Sequence, residues 1–263
     1  MYVAFVFDTM FLAVIACIAG IYAFMKIRSL LVSNRFIVDG KYCLVTGGSQ
    51  GLGKSIATQL VKKGAHVLIC ARRKVELVQA VEELKALKIH DSQKIDYLEC
   101  DVTNSSQVET LFLKNPIQFV FCCVGGSKPM LFEDQTISQL EKSLALNYTS
   151  ALYTCFYAVK QMKQIKENCK IVFVGSTLSC FGMIGFSEYV PSKFALRGLA
   201  ETLRNELLKD NIDVHIYLPG SIDTVIFNSF SQDLLRNKRQ NHKFLNLLRD
   251  KPNLHHQMNW QRN

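Results

Sequence analysis

The chain has 263 residues, 49% of them hydrophobic, and a formal net charge of +9. This length suits one sizeable α/β domain with an additional segment, and the composition excludes a disordered chain. The nine cysteines include no CxxC pair and no nearby histidine at metal-ligand spacing, which argues against a disulfide or metal scaffold. The favoured interpretation is buried, reduced thiols on the cytosolic side of a membrane.

The first segment of the chain is apolar as far as Met25, except at Asp8 and Thr9. Counted from Val3, it gives about 20 residues, enough to cross the hydrocarbon core of a bilayer. Basic residues follow this run and none precedes it, so the positive-inside rule predicts a transmembrane anchor over residues 1–28 with the rest of the chain in the cytoplasm. A cleaved signal peptide is the alternative, although the basic region that it needs is missing.

From Asp39 onward, short apolar runs alternate with segments of helical spacing. The strand candidates are Tyr42–Thr46, His66–Ala71, Ile95–Cys100, Ile117–Cys122, Lys170–Gly175 and Asp213–Leu218. The helical segments include Ser55–Lys63, Lys74–Leu87, Ile137–Lys166 and Ser192–Leu208. Nearly continuous hydrophobic strands separated by helices indicate a parallel sheet that is covered on both faces. We therefore predict a doubly wound, Rossmann-type α/β domain over residues 39–227, with at least six strands and no visible seventh edge strand.

The first strand runs into the glycine-rich sequence TGGSQGLG, which ends at Gly53 and leads into a helix. Its glycines permit a tight turn, and the backbone N–H groups at the start of a helix can then approach a pyrophosphate, although such a turn can also be merely structural. After the second strand, Arg72 and Arg73 stand where an NAD site usually carries an acidic residue, and arginine suits a 2'-phosphate. This predicts NADPH bound by Ser49 and Arg72, unless the two arginines are only solvated charges.

The sequence YVPSK begins at Tyr189, ends at Lys193 and starts a helix, with Ser187 as the expected cap and Pro191 in the first turn. Residues four apart share a helix face, so Lys193 should lie beside the Tyr189 side chain. A free phenol is a weak acid with a pKa of about 10, and a neighbouring ammonium should lower this pKa. Ser176 follows the fifth strand, at the edge of the sheet where ligands bind.

These motifs resemble the short-chain dehydrogenase/reductase family over roughly Gly40 to Phe227. The resemblance depends on their order and spacing: TGGSQGLG, CDVT from Cys100, Asn147, Ser176, YVPSK and PGSIDT from Pro219. It implies that Tyr189 is the general acid and that Lys193 lowers its pKa and holds ribose hydroxyls. It also implies that Ser176 hydrogen-bonds the substrate carbonyl and that Asn147 supports a proton-relay water.

The same resemblance implies a set of cofactor contacts along the carboxyl edge of the sheet. The expected residues are Gly47, Ser49, Gln50, Gly51, Leu52, Gly53, Arg72, Asp101, Val102, Gly125, Tyr189, Lys193, Pro219, Gly220 and Thr224. Asp101 and Val102 would border the adenine, and Thr224 would reach the nicotinamide amide. The resemblance is also compatible with a helix-mediated homodimer.

The sequence CCVGGSKPMLF, from Cys122 to Phe132, departs from the Asn-Asn-Ala-Gly that many family members carry after the fourth strand. With GGSQGLGK, SEYVPSK and the predicted anchor, it resembles the 3-ketodihydrosphingosine reductases. That resemblance implies reduction of the 3-keto group of a long-chain sphingoid base by NADPH, at the endoplasmic reticulum membrane and on its cytoplasmic face. The alternatives are a steroid, retinoid or other lipid carbonyl reductase, or a catalytically impaired member that only binds the cofactor.

Residues 228–263 are predicted to form a basic, atypical tail. From residue 227 to the end there are seven Lys or Arg against two Asp, without a clear strand or lid helix. A divergent tail, a truncated product or an altered reading frame would each look like this. The tail could bind anionic headgroups or be a solvated end, whereas its charge pattern gives no support to nucleic-acid binding.

Two Asn-X-Ser/Thr sequons, at Asn104 and Asn147, would accept glycans if the domain faced a lumen. Asn147 is expected inside the site, where a sugar would be incompatible with activity.

Overall fold

The structure is a computed structural model that describes residues 14–27, 37–113 and 116–220. The chain divides into two units, Met1–Ile37 and Val38–Asn263. In the first unit, residues 14–27 are helical. Within the described residues, no helix combines the length and the apolar character needed to cross a bilayer. The predicted anchor extends into residues outside the described part, and the predicted tail at 228–263 lies wholly outside it.

Six parallel strands form one sheet in the second unit, in the order β3-β2-β1-β4-β5-β6. The strands are β1 (Tyr42–Thr46), β2 (His66–Ala71), β3 (Ile95–Glu99), β4 (Phe119–Cys122), β5 (Cys169–Val174) and β6 (Ile212–Tyr217). Every residue of β4 is buried, as expected for an apolar strand covered on both faces. The doubly wound sheet with at least six strands is thus confirmed. The expected lack of a seventh strand concerns residues after 220, outside the described part.

Six α-helices connect and cover the strands in the described part of this unit. They are α1 (Gly51–Val61), α2 (Lys74–Lys85), α3 (Ser105–Thr110), α4 (Ile137–Leu144), α5 (Ser150–Met162) and α6 (Val190–Glu206). Sequence patterns did not predict α3, which is short and begins after Asn104. The Asn104 side chain caps it by accepting hydrogen bonds from the N–H groups of Ser106 and Gln107 at 3.0 and 3.3 Å.

A π-helical turn, Ala145–Thr149, joins α4 to α5. The sequence predicted a helical segment over Ile137–Lys166, and the structure confirms helix from Ile137 to Met162, with this turn inside it. A π turn holds an extra residue and rotates the side chains that follow, and such turns are frequent at functional sites.

The cysteines are free thiols, as predicted, and all nine lie among the described residues. Six are buried: Cys43, Cys70, Cys100, Cys122, Cys155 and Cys169. Burial raises the pKa of the Cys155 thiol to about 12. It also raises the pKa of the Cys123 thiol to about 12, although the charge of Lys193 acts to lower it. These groups are therefore protonated at neutral pH and serve as small apolar side chains.

All strands point the same way, so their carboxyl ends meet at one edge of the sheet. The strand order changes direction between β1 and β4. In open α/β sheets, this switch point at the carboxyl edge is where ligands bind.

Candidate active site

The glycine-rich turn after β1 is as tight as its sequence predicts. The N–H of Gly47 donates a hydrogen bond of 2.8 Å to the carbonyl of Cys70 on β2. Gly47 has a φ of 69°, in the left-handed region that glycine adopts easily. A Cβ on Gly53 would lie 2.3 Å from the carbonyl oxygen of Gly47, so this position in the first turn of α1 requires glycine.

The start of α1 offers backbone N–H groups to a ligand. In the described chain, Gln50 makes no side-chain capping bond and the first turn, Gly51–Gly53 with Leu52, holds no acidic residue. Gln50 instead accepts a hydrogen bond of 2.9 Å from the guanidinium of Arg73. Because a helix N-terminus carries a partial positive charge, this arrangement suits a pyrophosphate. Ser49 is buried in the same turn.

The ends of β2 and β3 bring Arg72 close to Asp101. Arg72 is exposed. Burial acts to raise the pKa of Asp101, but hydrogen bonds from the N–H and hydroxyl of Thr103, at 2.9 and 2.7 Å, and the charge of Arg72 lower it more. Asp101 is therefore ionised at neutral pH and lies within electrostatic reach of Arg72. The side chain of Val102 is buried in the core beneath them.

Tyr189 is the N-cap residue of α6, and Pro191 lies in the first turn as predicted. The expectation that Ser187 caps this helix is wrong. Its hydroxyl accepts a hydrogen bond of 2.9 Å from Gln135, a residue in the segment that follows β4. Ser187 therefore ties two loops together and does not satisfy the N–H groups of the helix.

Lys193 lies beside Tyr189, as predicted from the helical spacing. Its ammonium nitrogen is 5.4 Å from the centre of the Tyr189 ring, and it donates a hydrogen bond of 3.0 Å to the carbonyl of Val174 at the end of β5. The side chain is 3% exposed. Burial lowers the pKa of Lys193 to about 8, although the neighbouring Cys123 acts in the opposite direction.

The pKa of Tyr189 is raised above its ordinary value, whereas the sequence predicted a lowered one. Burial is the largest cause of the raised pKa, and the negative charge of Glu188 adds to it, while the hydrogen bond with Ser176 acts to lower it. The loss of hydration therefore outweighs the effect of Ser176 in this arrangement. The phenol is protonated at neutral pH.

Asn147 lies in the π-helical turn and is fully buried. Its side chain forms two hydrogen bonds with the backbone of Gly126: the amide nitrogen donates to the carbonyl at 2.8 Å, and the oxygen accepts from the N–H at 2.9 Å. A Cβ on Gly125 would lie 2.8 Å from the Asn147 oxygen and 3.3 Å from the Lys193 nitrogen. Asn147, Gly125 and Lys193 thus form one close-packed group, which leaves no space for a glycan at the Asn147 sequon.

The ends of β5 and β6 complete the site. Ser176 lies two residues after β5. Its hydroxyl accepts a hydrogen bond of 3.1 Å from the N–H of Leu178, and it acts to lower the pKa of the Tyr189 phenol. The carbonyl of Pro219 accepts from the N–H of Thr177 at 2.9 Å, and Gly220 is exposed next to it. Thr224 lies outside the described residues.

One buried group at the site was missed by sequence reasoning. Glu188, directly before Tyr189, is 8% exposed. An acidic residue in a loop usually indicates a solvated surface, so the pattern gives no sign that this carboxylate is buried. Its position beside Tyr189 in SEYVPSK is the one signal that could have drawn attention to it.

The succession of glycine-rich turn, serine and Tyr/Lys pair at one edge of a parallel sheet is shared with a known family. The sequence profile described as short chain dehydrogenase matches residues 41–235. The chain belongs to the short-chain dehydrogenase family. The fold of this family implies a nicotinamide cofactor.

Two relatives carry the name 3-ketodihydrosphingosine reductase. The chain is 41% identical over 193 residues to the "PIGF/3-ketodihydrosphingosine reductase fusion protein" of Schizosaccharomyces pombe, covering 72% of this chain and 39% of that protein. It is 32% identical over 227 residues to the 3-ketodihydrosphingosine reductase of Bos taurus, covering 84% of this chain and 68% of that protein. This chain therefore spans only part of the length of each relative.

A solved structure confirms the fold of the short-chain dehydrogenase. A short-chain type dehydrogenase/reductase from Mycobacterium ulcerans superposes with a TM-score of 0.69 at 26% identity, covering 74% of this chain and 75% of that one.

The residues present fit a nicotinamide dinucleotide. The uncapped start of α1 suits the pyrophosphate, and glycine is required at Gly53 and Gly125, where a Cβ would meet neighbouring atoms at 2.3 and 2.8 Å. A lysine offers three donors, so the bond to Val174 leaves two of those on Lys193 for ribose hydroxyls.

Proposed function

We propose that the protein is an NADPH-dependent reductase that converts 3-ketosphinganine, a long-chain sphingoid base, to sphinganine. The observation that carries the proposal is the grouping of Tyr189, Lys193 and Ser176 at the edge of the sheet that also carries the glycine-rich turn. The name shared by the S. pombe and bovine relatives supports the substrate class.

A reduced nicotinamide, when bound, supplies the hydride for the ketone carbon. Ser176 is near enough to Tyr189 to act on the pKa of its phenol, so their hydroxyls can hold one carbonyl oxygen between them. Tyr189 then donates its phenolic proton to that oxygen, which becomes the alcohol. Its raised pKa keeps the phenol protonated at neutral pH, the form that a general acid needs. The nearby Lys193 ammonium stabilises the phenolate that remains until solvent reprotonates it.

Asn147 supports this chemistry by holding the backbone of the loop after β4. Both ends of its amide are bonded to Gly126. This fixes the loop that carries Gly125 next to Lys193. The role in a proton-relay water that the family resemblance implies for Asn147 stays a prediction.

The reductase activity is tested by incubating the purified full chain with 3-ketosphinganine and NADPH and measuring sphinganine by mass spectrometry. We expect one sphinganine formed for each NADPH oxidised. A panel of steroid and retinoid ketones separates the lipid classes. If NADPH raises the melting temperature but no lipid ketone is reduced, the chain is a cofactor-binding member and the proposal fails.

We further propose that the N-terminal segment anchors the enzyme in the endoplasmic reticulum membrane with its catalytic domain in the cytoplasm. The apolar run before Met25 and the basic residues that follow it support this orientation. An acyl tail partitions into the bilayer, so an anchored enzyme meets its substrate at the interface. Because NADPH does not cross membranes, sealed microsomes should reduce the ketone with external NADPH. Activity that appears only after detergent treatment would contradict this orientation.

The choice of NADPH over NADH is tested with Arg72→Ala. Arg72 is exposed next to the end of β2 and within electrostatic reach of Asp101, where a ribose 2'-phosphate would accept its charge-assisted hydrogen bonds. We expect the Kd for NADPH to rise about tenfold and the Kd for NADH to stay within twofold, as measured by calorimetric titration.

Arg73→Ala is the matched control for this variant. The Arg73 guanidinium is already engaged with Gln50 and Glu76, at 2.9 Å in each case. Its loss should affect both cofactors equally. An Arg72→Ala variant that weakened NADPH and NADH by the same factor would contradict the assignment of NADPH to this site.

A further inference from the structure

Glu188 connects three segments of the active site through its carboxylate. One oxygen accepts hydrogen bonds from the hydroxyl of Ser127 at 2.7 Å and from the backbone N–H of Lys128 at 2.9 Å, both in the loop after β4. The other oxygen accepts from the hydroxyl of Ser143 on α4. Glu188 itself precedes Tyr189, so the carboxylate bonds this loop and α4 to the segment that carries the phenol.

These bonds continue from Ser143 to Asn147. The carbonyl and hydroxyl oxygens of Ser143 accept hydrogen bonds from the Asn147 amide at 3.0 and 3.2 Å. Asn147 is in turn bonded twice to Gly126. The network therefore closes on itself, because Gly126 directly precedes the Ser127 that Glu188 holds. A change at Glu188 would therefore loosen the loop after β4 at Ser127 and Lys128, which it binds directly, and at Gly126, which is held through Ser143 and Asn147.

The partners of the Glu188 carboxylate are all neutral donors. In the described part of the chain, no Lys, Arg or His nitrogen forms an ion pair with it. A buried carboxylate without a cation costs more than a buried ion pair, so hydrogen bonds must hold its charge. Neutral side chains could make the same hydrogen bonds if Glu188 served only the stability of the fold. The charge of its carboxylate also acts electrostatically on the residues around it.

Tyr189 directly follows Glu188 in the chain and is one of these residues. Ser176 from the segment after β5 acts to lower the pKa of the phenol. Lys193 from α6 lies 5.4 Å from the ring centre, and Cys123 from the segment after β4 interacts with Lys193. Burial is the largest cause of the raised pKa of Tyr189, and Glu188 is the charged group that raises it further.

We propose that Glu188 is a positioning residue for the reduction, whose carboxylate holds the loop after β4 and Ser143 against the segment that carries Tyr189. This inference rests on the proposed reductase function, but it does not depend on which lipid ketone is the substrate. Glu188 directly precedes Tyr189 in the chain, and its charge adds to the raised pKa of the phenol.

Two substitutions separate the hydrogen bonds of Glu188 from its charge. Glu188→Gln keeps an acceptor for Ser127 and Lys128 and removes the charge. We expect the alkaline limb of the kcat/KM profile for ketone reduction to move to lower pH. Glu188→Ala removes the bonds as well, and we expect kcat to fall on the order of 100-fold with a smaller change in KM, because the reacting groups are displaced.

Glu201→Gln is the matched control on α6. Its carboxylate is exposed and accepts a hydrogen bond of 2.7 Å from Arg197 on the same helix. We expect its kcat and its pH profile to equal those of the unsubstituted chain. Lys193 titrates in every variant, so differences among the three profiles report on Glu188.

A direct titration of Tyr189 makes the test independent of any substrate. The full chain is labelled with ¹³C at tyrosine Cζ, and the signal that disappears in Tyr189→Phe identifies the residue among the nine tyrosines. We expect Glu188→Gln to titrate this signal at lower pH than the unsubstituted chain does. If no ketone is reduced, the proposed function fails, while this titration still decides whether Glu188 acts on the phenol.

Two results would overturn the inference. One is an unchanged Tyr189 titration in Glu188→Gln; the other is a folded Glu188→Ala variant with kcat within twofold of the unsubstituted chain. Should Glu188→Ala fail to fold, the Ser127→Ala/Ser143→Ala double variant removes the side-chain donors but keeps the charge. It should lower kcat at least about tenfold, and a kcat within twofold would contradict the positioning role.

Discussion

Tyr189→Phe should lower kcat for ketone reduction by about 10² to 10⁴-fold, because the substitution removes the proton donor of the reaction. The phenylalanine ring keeps the packing of the tyrosine ring, including its edge-to-face arrangement with Phe186, whose ring centre lies 6.4 Å from that of Tyr189. Folding and cofactor binding should therefore be retained. Steady-state kinetics with the lipid ketone gives kcat, and calorimetric titration gives the Kd for the cofactor.

Tyr22→Phe is the control for this prediction. Tyr22 and Lys26 repeat the four-residue spacing of Tyr189 and Lys193, but they lie in the N-terminal helical segment, where Tyr22 is exposed. Removing its hydroxyl should leave kcat unchanged. If Tyr189→Phe retained more than about a tenth of the activity, the assignment of Tyr189 as general acid would be wrong.

Gly53→Ala should abolish tight cofactor binding, with an increase in Kd on the order of 100-fold. The new Cβ would lie 2.3 Å from the carbonyl oxygen of Gly47 and 3.3 Å from the Cα of Gly48. These are backbone atoms, so the turn itself must move, and the N–H groups of α1 lose their alignment towards the pyrophosphate. Overpacking of this kind also costs about 1–3 kcal/mol of stability. Calorimetric titration with cofactor and thermal unfolding measure the two effects.

The matched control for this substitution is Gly198→Ala on α6. Among the described residues, no heavy atom outside its own helix and chain neighbours lies within 4 Å of a Cβ placed there. Alanine is the better helix former, so this variant should gain about 0.5–1 kcal/mol and bind the cofactor normally. Normal cofactor affinity in Gly53→Ala would contradict the role of the turn as a pyrophosphate site.

The sheet could be predicted from the sequence because its strands are buried runs with clear limits. The predicted bounds of β1 and β2 agree with the structure residue for residue. The start of β4 was placed two residues early, at Ile117 rather than Phe119. The N–H of Ile117 is bonded to the side chain of Gln161 at 2.8 Å instead of to a neighbouring strand. Apolar character indicates burial there, but it does not show which partner satisfies the backbone.

The candidate site was predicted as a set of residues, but its internal contacts were not. The π-helical turn around Asn147 is stabilised by bonds to Gly126, 21 residues earlier, and Ser187 is bonded to Gln135, 52 residues away. Patterns of neighbouring residues in the sequence do not reveal hydrogen bonds between residues so far apart. The raised pKa of Tyr189 was missed for the same reason: helical spacing reveals the nearby Lys193, whereas burial depends on the whole fold.

The buried thiols have a practical consequence for handling the protein. In the native chain, six cysteines are enclosed, while Cys17 and Cys180 are exposed. Denaturation would release all nine at once, and at alkaline pH in air they could cross-link in many wrong combinations. Refolding from inclusion bodies therefore requires a reductant throughout, whereas the folded protein should tolerate aerobic buffers once its exposed thiols are blocked.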